Sequence, residues 1–183
     1  MKIKKYVVGM IGTNCYLVIN EETKETVMVD PGAYPAKVKN AVKEQGLKLK
    51  AVLLTHAHFD HMTDGESNLS STYVRGGYRF EEAVPVSDGQ QLEIAGFQFR
   101  VIHTPGHTPG GCCYYMEQEG VLFSGDTLFQ TSVGRSDFPG GSASALVRSV
   151  KEKLLVLPEE THVYPGHMEE TTIGYEKLHN PFI

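Results

Sequence analysis

The stretch THAHFDH, residues 55–61, places three histidines and an aspartate directly after the short apolar run Ala51–Leu54. A continuous apolar run of this kind is typical of a strand that is covered on both faces. In an extended segment, side chains two residues apart point the same way, so His56 and His58 are placed to bind one cation together. Imidazole is a common ligand of zinc, iron and other transition metals.

The second half of the stretch adds two more side chains of the ligand type. A turn at Phe59 would direct Asp60 and His61 toward a second point close to the first, and a carboxylate can bridge two ions. The stretch therefore predicts a metal centre with room for two ions. The alternative is a polar turn with hydrogen-bonded histidines, which requires four ligand-type residues to fall together by chance.

Three later loops each deliver one ligand-type residue just after a predicted strand. Their sequences are TPGHT, SGDT and PGH, and they contain His107, Asp126 and His167. Taken alone, each loop could be an ordinary turn in which Pro and Gly bend the chain, with Asp126 as an N-cap or Asx-turn residue. Because strand ends can gather distant residues at one rim of a sheet, we expect these side chains to join the site of the first stretch.

The remaining pattern predicts an α/β protein of short strands and few helices. Strands are predicted at Ile3–Val8, Cys15–Ile19, Thr26–Val29, Gln91–Ile94, Phe97–Ile102, Cys112–Met116, Val121–Phe123 and His162–Tyr164. Helices are predicted at Pro35–Gln45, at Ser142–Leu155 with Ser142 as the N-cap, and in the tail from Glu169.

Composition narrows the class of protein and of partner. A net charge of −5 over 183 residues argues against nucleic acid as a partner. No apolar run is long enough to cross a bilayer and the N-terminus lacks a secretory signal, so we expect no membrane partner. Three cysteines without CxxC spacing favour a reducing, cytoplasmic location over a disulfide framework. Cys112 and Cys113 are interpreted as small strand residues rather than ligands.

The four ligand motifs, in this order, resemble those of the metallo-β-lactamase fold superfamily. Within it, the chain resembles the short single-domain members of the glyoxalase II-like (hydroxyacylglutathione hydrolase-like) branch. Further stretches similar to that branch are Thr13–Leu17, Val29–Gly32, Gly125–Phe129, Gly134–Pro139, Thr171–Glu176 and Asn180–Phe182. The resemblance implies a four-layer αββα sandwich, here a single domain over residues 1–183, with metals at one edge of the paired sheets.

The resemblance also implies how the ligands are divided between two ions. The first ion would be bound by His56, His58 and His107, and the second by Asp60, His61 and His167. Asp126 would bridge the two ions, and Asp60 and Asp126 are the carboxylates that we take as catalytic. Asp30 matches a family position that either supports the ligands or serves as a loop cap.

The chemistry of such a centre favours hydrolysis. Two divalent ions outweigh the carboxylates of Asp60 and Asp126, so the centre attracts an anionic or polarised substrate. Metal binding lowers the pKa of water to about 7, which gives a metal-bound hydroxide as nucleophile. A thioester suits this centre because a thiol, with a pKa of about 8.5, leaves as thiolate without a general acid. We expect a metal-dependent hydrolase of small thioesters such as hydroxyacyl-glutathione, with zinc as the first choice of metal and iron or manganese as alternatives.

Two features set this chain apart from longer relatives. Full-length glyoxalase II enzymes carry a C-terminal helical domain that helps bind glutathione, and from the short stretch after His167 we expect no such domain here. Relatives usually have a helix and a further strand after the HxHxDH motif, whereas only residues 62–90 are available here. We therefore expect a shortened region after the motif, and the second ion depends on how the chain packs there.

Other functions remain open at this point. A persulfide dioxygenase has a similar fold and a segment like Gly134–Phe138, but its chemistry requires one redox-active iron. A non-catalytic metal-binding relative is suggested by the shortened region. β-Lactam hydrolysis is possible on grounds of fold alone, and fold does not decide function.

Overall fold

The computed structural model describes residues 1–32, 36–58, 60–61 and 84–183. The chain divides into two units, each with its own sheet. Unit 1 contains Met1–Pro85 and Glu93–Phe97, and unit 2 contains Val86–Leu92 and Gln98–Ile183. The prediction that residues 1–183 form a single domain stays a prediction.

The sheet of unit 1 has the order β1-β2-β3-β4. Its strands are β1 (Lys2–Val8), β2 (Thr13–Ile19), β3 (Glu25–Val29) and β4 (Lys48–Leu53), and α1 (Ala36–Glu44) connects β3 to β4. The first three strands are antiparallel, whereas β3 and β4 are parallel. A parallel pair requires a crossover connection, which α1 supplies. The predicted strands and helix of this region are thus confirmed, with ends shifted by a few residues.

The core of unit 1 lies between this sheet and α1. Every residue of β2 is buried, and Val38 is the buried residue of α1. The prediction that the strand ending at Leu54 is covered on both faces is wrong for the described residues. Leu49 and Val52 remain 39% and 41% exposed, because β4 is the last strand of its sheet in the part of the chain described here.

A six-stranded sheet, which belongs to unit 2 except for residues Glu93–Phe97, has the order β12-β11-β8-β7-β6-β5. Its strands are β5 (Gln91–Ile94), β6 (Phe97–His103), β7 (Cys112–Met116), β8 (Val121–Gly125), β11 (His162–Pro165) and β12 (Thr171–Thr172). A separate hairpin consists of β9 (Leu128–Phe129) and β10 (Ser132–Val133). The β6–β7 and β7–β8 pairs are antiparallel, and β8 and β11 are parallel.

The helices of unit 2 are α2 (Ala143–Ser149) and α3 (Ile173–His179). Ser142 caps α2 as predicted, since its side chain accepts a hydrogen bond from the backbone of Ala145. The predicted single α-helix is incorrect beyond Ser149, because Val150–Leu154 forms a π-helical turn. The tail is also not wholly helical, since β12 precedes α3. Among the described residues, no helix is long and apolar enough to cross a membrane.

Candidate metal centre

In unit 1 the candidate ligands follow the carboxyl end of a parallel strand pair. Val29 of β3 lies opposite Leu53 of β4, so the residues that follow both strands emerge at the same edge of the sheet. Asp30 directly follows β3, and the stretch from Thr55 to His61 follows β4. The expected position of this stretch at a strand end is confirmed.

Asp30 connects the two strand ends through its buried carboxylate, which is only 2% exposed. Its Oδ1 accepts a hydrogen bond from the backbone N–H of Thr55 at 2.9 Å, and its Oδ2 accepts one from Thr55 Oγ1 at 2.8 Å. Its Oδ2 also lies 3.0 Å from His61 Nδ1. Of the two roles expected for Asp30, the contacts with Thr55 and His61 favour support of the ligand stretch.

The hydroxyl of Thr55 determines which nitrogen of His56 is available to a metal. Thr55 Oγ1 lies 3.0 Å from His56 Nδ1. Because the single hydroxyl proton is donated to the Asp30 carboxylate, the oxygen must accept from His56, which places a proton on Nδ1. The Nε2 atom of His56 then carries the lone pair that a metal ligand needs.

The other three candidate ligands of unit 1 lie beside His56. Its ring centroid is 4.8 Å from that of His58 and 4.1 Å from that of His61. His61 Nε2 is 3.3 Å from Asp60 Oδ2, and the same oxygen accepts a 2.9 Å hydrogen bond from Thr13 Oγ1. The structure thus brings the four residues together as one group, called here the first ligand set: His56, His58, Asp60 and His61.

In unit 2 the candidate ligands also follow strands that run in one direction. The parallel pair β8 and β11 places Tyr164 opposite Phe123, and the backbone N–H of Gly166 donates to the carbonyl of Gly125 at 2.9 Å. Strand β6 runs parallel to β8 because each is antiparallel to β7. The loops after these three strands, which carry His107, Asp126 and His167, therefore emerge at one edge of the sheet.

Asp126 lies between the two histidines of unit 2. Its Oδ2 is 3.5 Å from His107 Nε2 and 3.7 Å from His167 Nε2. The backbone carbonyl of Arg135 lies 2.6 Å from His107 Nδ1. A carbonyl only accepts, so Nδ1 carries the proton and Nε2 is the ligand atom, as in His56. We call His107, Asp126 and His167 the second ligand set.

The second ligand set depends on a close backbone approach at Gly134. A Cβ atom at this position would lie 1.9 Å from the carbonyl oxygen of Asp126 and 3.4 Å from His107 Nδ1. Only glycine allows the chain to pass here and present the Arg135 carbonyl to His107. The sequence indicates Gly134–Pro139 only as a stretch similar to the family, because any residue can supply a backbone carbonyl.

The side chain of Arg135 points to a different partner. Its guanidinium makes two 2.7 Å hydrogen bonds to Asp137 and lies 4.0 Å from the ring centroid of Phe138. The hydrogen bond from Arg135 lowers the pKa of the Asp137 carboxyl to about 2. Both side chains are well exposed, so the pair forms the outer part of the turn whose backbone orients His107.

The cysteines do not offer a competing nucleophile. All three are buried and none of them forms a disulfide in the part of the chain that the structure describes, and burial raises the pKa of Cys15 to about 12. Cys112 and Cys113 lie in β7 as predicted. Histidines outside the two sets have other contacts: His103 Nε2 lies 2.9 Å from the Pro109 carbonyl, and His162 Nε2 lies 3.0 Å from Glu170 Oε2.

The chemistry of both sets suits a transition metal. Each set contains histidine nitrogens and a carboxylate, and this mixture of ligands fits zinc, iron or manganese. The orientation of His56 and His107 by hydrogen bonds at Nδ1 is the arrangement that metal-bound histidines adopt. The predicted turn at Phe59 and most of the segment 62–90 lie outside the described residues.

Comparison with known proteins identifies similar chains along the whole length. The sequence model of the metallo-beta-lactamase superfamily matches residues 8–66 and 62–167. An uncharacterized protein of Aquifex aeolicus is 39% identical over 206 residues, covering 100% of this chain and 97% of its own. The probable metallo-hydrolase YqgX of Bacillus subtilis is 35% identical, with coverages of 100% and 98%. The hydroxyacylglutathione hydrolase GloC of Haemophilus influenzae is 32% identical, with coverages of 100% and 98%.

Solved structures agree with these matches. BLEG-1 B3 metallo-beta-lactamase is 38% identical with a TM-score of 0.90, covering 99% of both chains. TTHA1623 in a di-iron-bound form is 36% identical with a TM-score of 0.83, covering 98% of this chain and 100% of its own. ETHE1 from Myxococcus xanthus is 29% identical with a TM-score of 0.79, covering 99% and 84%. The predicted α/β fold class of the metallo-β-lactamase type is thereby confirmed.

The alignments also bear on the predicted shortened region. They extend over 206 and 209 positions, whereas this chain has 183 residues and is covered in full. The relatives therefore contain residues that this chain lacks. The match to the superfamily is split into two segments that meet at residues 62–66, directly after the first ligand set. Both findings agree with a shortened region after the HxHxDH motif.

Proposed function

This chain belongs to the metallo-beta-lactamase superfamily, and on that premise we propose that it is a dinuclear metal-dependent hydrolase of thioesters of the hydroxyacyl-glutathione type. One observation carries the metal part of the proposal. His56 and His107 each use Nδ1 in a hydrogen bond, to Thr55 and to the Arg135 carbonyl. Each therefore has Nε2 available as a ligand atom.

We assign the ligands of both sets to one centre, as the family resemblance implies. The first ion would be held by His56, His58 and His107, the second by Asp60, His61 and His167, and both by Asp126. Within the second set, Asp126 Oδ2 already lies between the Nε2 atoms of His107 and His167. This position suits a bridging carboxylate better than a ligand of one ion alone.

The residues of the centre divide the work of hydrolysis. When bound, divalent ions supply a water of lowered pKa and stabilise the charge that develops on the substrate oxygen. Thr13 donates a hydrogen bond to Asp60, and the Asp30 carboxylate lies 3.0 Å from His61 Nδ1, so both ligands have a supporting side chain. Asp126 balances part of the positive charge. No proton donor is needed for a thiolate leaving group, whose thiol has a pKa of about 8.5.

The thioester substrate is supported by the similarity to the GloC relative and by this leaving-group chemistry. A second candidate, a mononuclear-iron persulfide dioxygenase, is supported by the similarity to ETHE1. A β-lactam is the third substrate class to test, because BLEG-1 is similar along nearly its whole chain. An amide nitrogen is a poorer leaving group than a thiolate and has to be protonated, which favours the thioester.

The test combines metal analysis with a panel of three substrates. Purified protein loaded with zinc, manganese or ferrous iron is assayed for hydrolysis of S-lactoylglutathione, for oxygen uptake with glutathione persulfide, and for hydrolysis of a penicillin. We expect two equivalents of metal per chain and thioester turnover that disappears in Asp126→Ala. One iron per chain with oxygen uptake would replace the proposal by the dioxygenase. Metal binding without turnover of any of the three would indicate a non-catalytic relative.

A further inference from the structure

Glu176 is a completely buried carboxylate that lies outside the predicted ligand sets. It belongs to α3 and accepts three hydrogen bonds. Its Oε2 accepts from the backbone N–H of Thr131 at 2.9 Å and from Asn180 Nδ2 at 2.8 Å, whereas its Oε1 accepts from Thr171 Oγ1 at 2.5 Å. Burial of a carboxylate is costly in free energy unless it is fully hydrogen-bonded. The three hydrogen bonds offset this cost, and the question is what the buried carboxylate does in this position.

The two oxygens of Glu176 serve different parts of unit 2. Oε2 faces the loop from Asp126 to Arg135, which we call the Asp126–Arg135 loop. Thr131 is in the turn of this loop and has a φ of 52°, a conformation that a β-branched residue rarely adopts. Asn180 Nδ2 also donates to the carbonyl of Ser132 at 3.0 Å. Glu176 and Asn180 therefore hydrogen-bond to two adjacent residues of this turn, Thr131 and Ser132.

The Asp126–Arg135 loop touches every member of the second ligand set. It begins with Asp126 itself, and it ends with the Arg135 carbonyl that accepts from His107. Between these ends, the ring centroid of Phe129 lies 6.2 Å from that of His167, edge to face. This loop thus carries one of the three ligands and contacts the other two.

We propose that α3 is a positioning element of the metal centre, in which Glu176 and Asn180 hold the Asp126–Arg135 loop in the conformation that the second ligand set requires. The inference rests on the proposed metal centre but not on the substrate. Glu176 and Asn180 act through the loop and touch neither metal nor substrate, so they are positioning residues. Their removal lowers metal affinity because the ligands lose their preorganised arrangement.

The arrangement around Glu176 offers a matched pair of variants. Asn180→Ala removes the hydrogen bonds to Oε2 and to Ser132, both on the loop side, and also the one that Asn180 Oδ1 accepts from the backbone N–H of Phe182. Thr171→Val removes the hydrogen bond to Oε1, which does not reach the loop, and keeps the shape of the side chain. Each variant takes one donor from the same carboxylate. A merely structural role for Glu176 predicts the same consequence for both variants.

The measurement is a titration of the metal-free full chain with Co²⁺, followed by visible absorption against a competing chelator. Thermal unfolding of each metal-free variant is recorded in parallel, to confirm that it is folded at the titration temperature. We expect Asn180→Ala to weaken Co²⁺ binding by about tenfold and to change the absorption spectrum, as loss of an outer partner of metal ligands does. Thr171→Val should bind Co²⁺ within about twofold of the unsubstituted chain, since the loop contacts remain.

A third variant tests whether the loop-side hydrogen bonds are what matters. In Glu176→Gln, the amide oxygen can still accept from Thr131 and Asn180 while the amide nitrogen donates to Thr171 Oγ1. This variant should retain near-normal Co²⁺ affinity and spectrum. Equal affinity for Asn180→Ala and Thr171→Val, whether lowered or unchanged in both, would overturn the inference. Because Co²⁺ binding requires no substrate, failure of the thioesterase proposal would leave this test intact.

Discussion

The first and second ligand sets are held by different means. The first set comes from one short stretch and is supported by side chains. Thr55 contacts His56, Asp30 lies 3.0 Å from His61, and Thr13 donates a hydrogen bond to Asp60. The second set is assembled from three separate loops and is supported largely by backbone, through the Arg135 carbonyl and the close approach at Gly134. Metal binding by the first set should therefore be sensitive to substitution of the supporting polar side chains, and metal binding by the second set to changes of backbone path.

The largest effect is expected from removal of the carboxylate that joins the histidines of the second set. Asp126→Ala should lower metal content by at least one equivalent per chain. It should also reduce thioester turnover by more than about a hundredfold, which exceeds the effect of removing a residue that only hydrogen-bonds to a metal ligand. Metal analysis and the S-lactoylglutathione assay check both. Asp88→Asn is the control, because Asp88 is an exposed carboxylate paired with Lys153. Full metal content in Asp126→Ala would show that Asp126 is not a metal ligand.

Gly134→Ala tests the claim that the second set depends on backbone path. The added Cβ would lie 1.9 Å from the Asp126 carbonyl, so the loop has to shift, at a cost of about 1–3 kcal/mol in the free energy of unfolding. Metal affinity should fall along with stability. Gly110→Ala is the matched control, since nothing lies within 4 Å of its added Cβ. Equal stability and Co²⁺ affinity in the two variants would show that the close approach is unimportant.

Asp30→Asn tests the side-chain support of the first set. Asparagine tolerates the positive φ of 49° at this position, so the backbone should be unaffected. Its amide nitrogen donates where the carboxylate accepts, which disturbs the Thr55 hydroxyl and the protonation of His56 Nδ1. We expect a loss of metal affinity of about tenfold to a hundredfold. Thr55→Val should show part of this loss and Thr55→Ser almost none, as measured by Co²⁺ titration. If Thr55→Ser loses as much metal affinity as Asp30→Asn, the Thr55 hydroxyl is not what connects Asp30 to His56.

The smallest effect is expected from Arg135→Ala, because the orienting group is the backbone carbonyl and not the guanidinium. Metal content should stay unchanged. The hydrogen bond from Arg135 lowers the pKa of Asp137 to about 2. The ion pair is therefore fully formed above the ordinary carboxyl pKa of 3.8, and it is lost as the pH falls toward about 2. In Arg135→Ala, the pKa of Asp137 should rise toward its ordinary value of 3.8, as followed by NMR titration. A pKa that stays near 2 would assign the shift to another group.

The first set was predictable because its information is local. Four ligand-type residues in one short stretch directly indicate a metal site, and the position of His107, Asp126 and His167 at strand ends was also predicted. The supports were less visible. Asp30 and Thr55 lie far apart in sequence and meet only because β3 and β4 are parallel neighbours. The contact between the Arg135 carbonyl and His107 could not be foreseen, since every residue has a carbonyl.

Two elements of the fold also differ from expectation for physical reasons. The spacing of Leu146, Val150 and Leu154 suits an α-helix, but the chain widens to a π-helical turn over Val150–Leu154. All three side chains are nonetheless buried, so the apolar pattern is satisfied by either helical form. In β4, apolar residues predict coverage, whereas Leu49 and Val52 stay partly exposed. An apolar pattern indicates which residues can be buried. Whether they are buried depends on the elements that pack against them.

The most direct test of a dinuclear centre is a titration of metal-free protein with zinc, in which bound metal and S-lactoylglutathione turnover are measured at each point. If both ligand sets serve one dinuclear centre, turnover reaches its maximum only when the second equivalent is bound. His58→Ala in the first set and Asp126→Ala in the second should each abolish turnover. Full turnover at one equivalent, or turnover that survives loss of either set, would contradict a dinuclear centre.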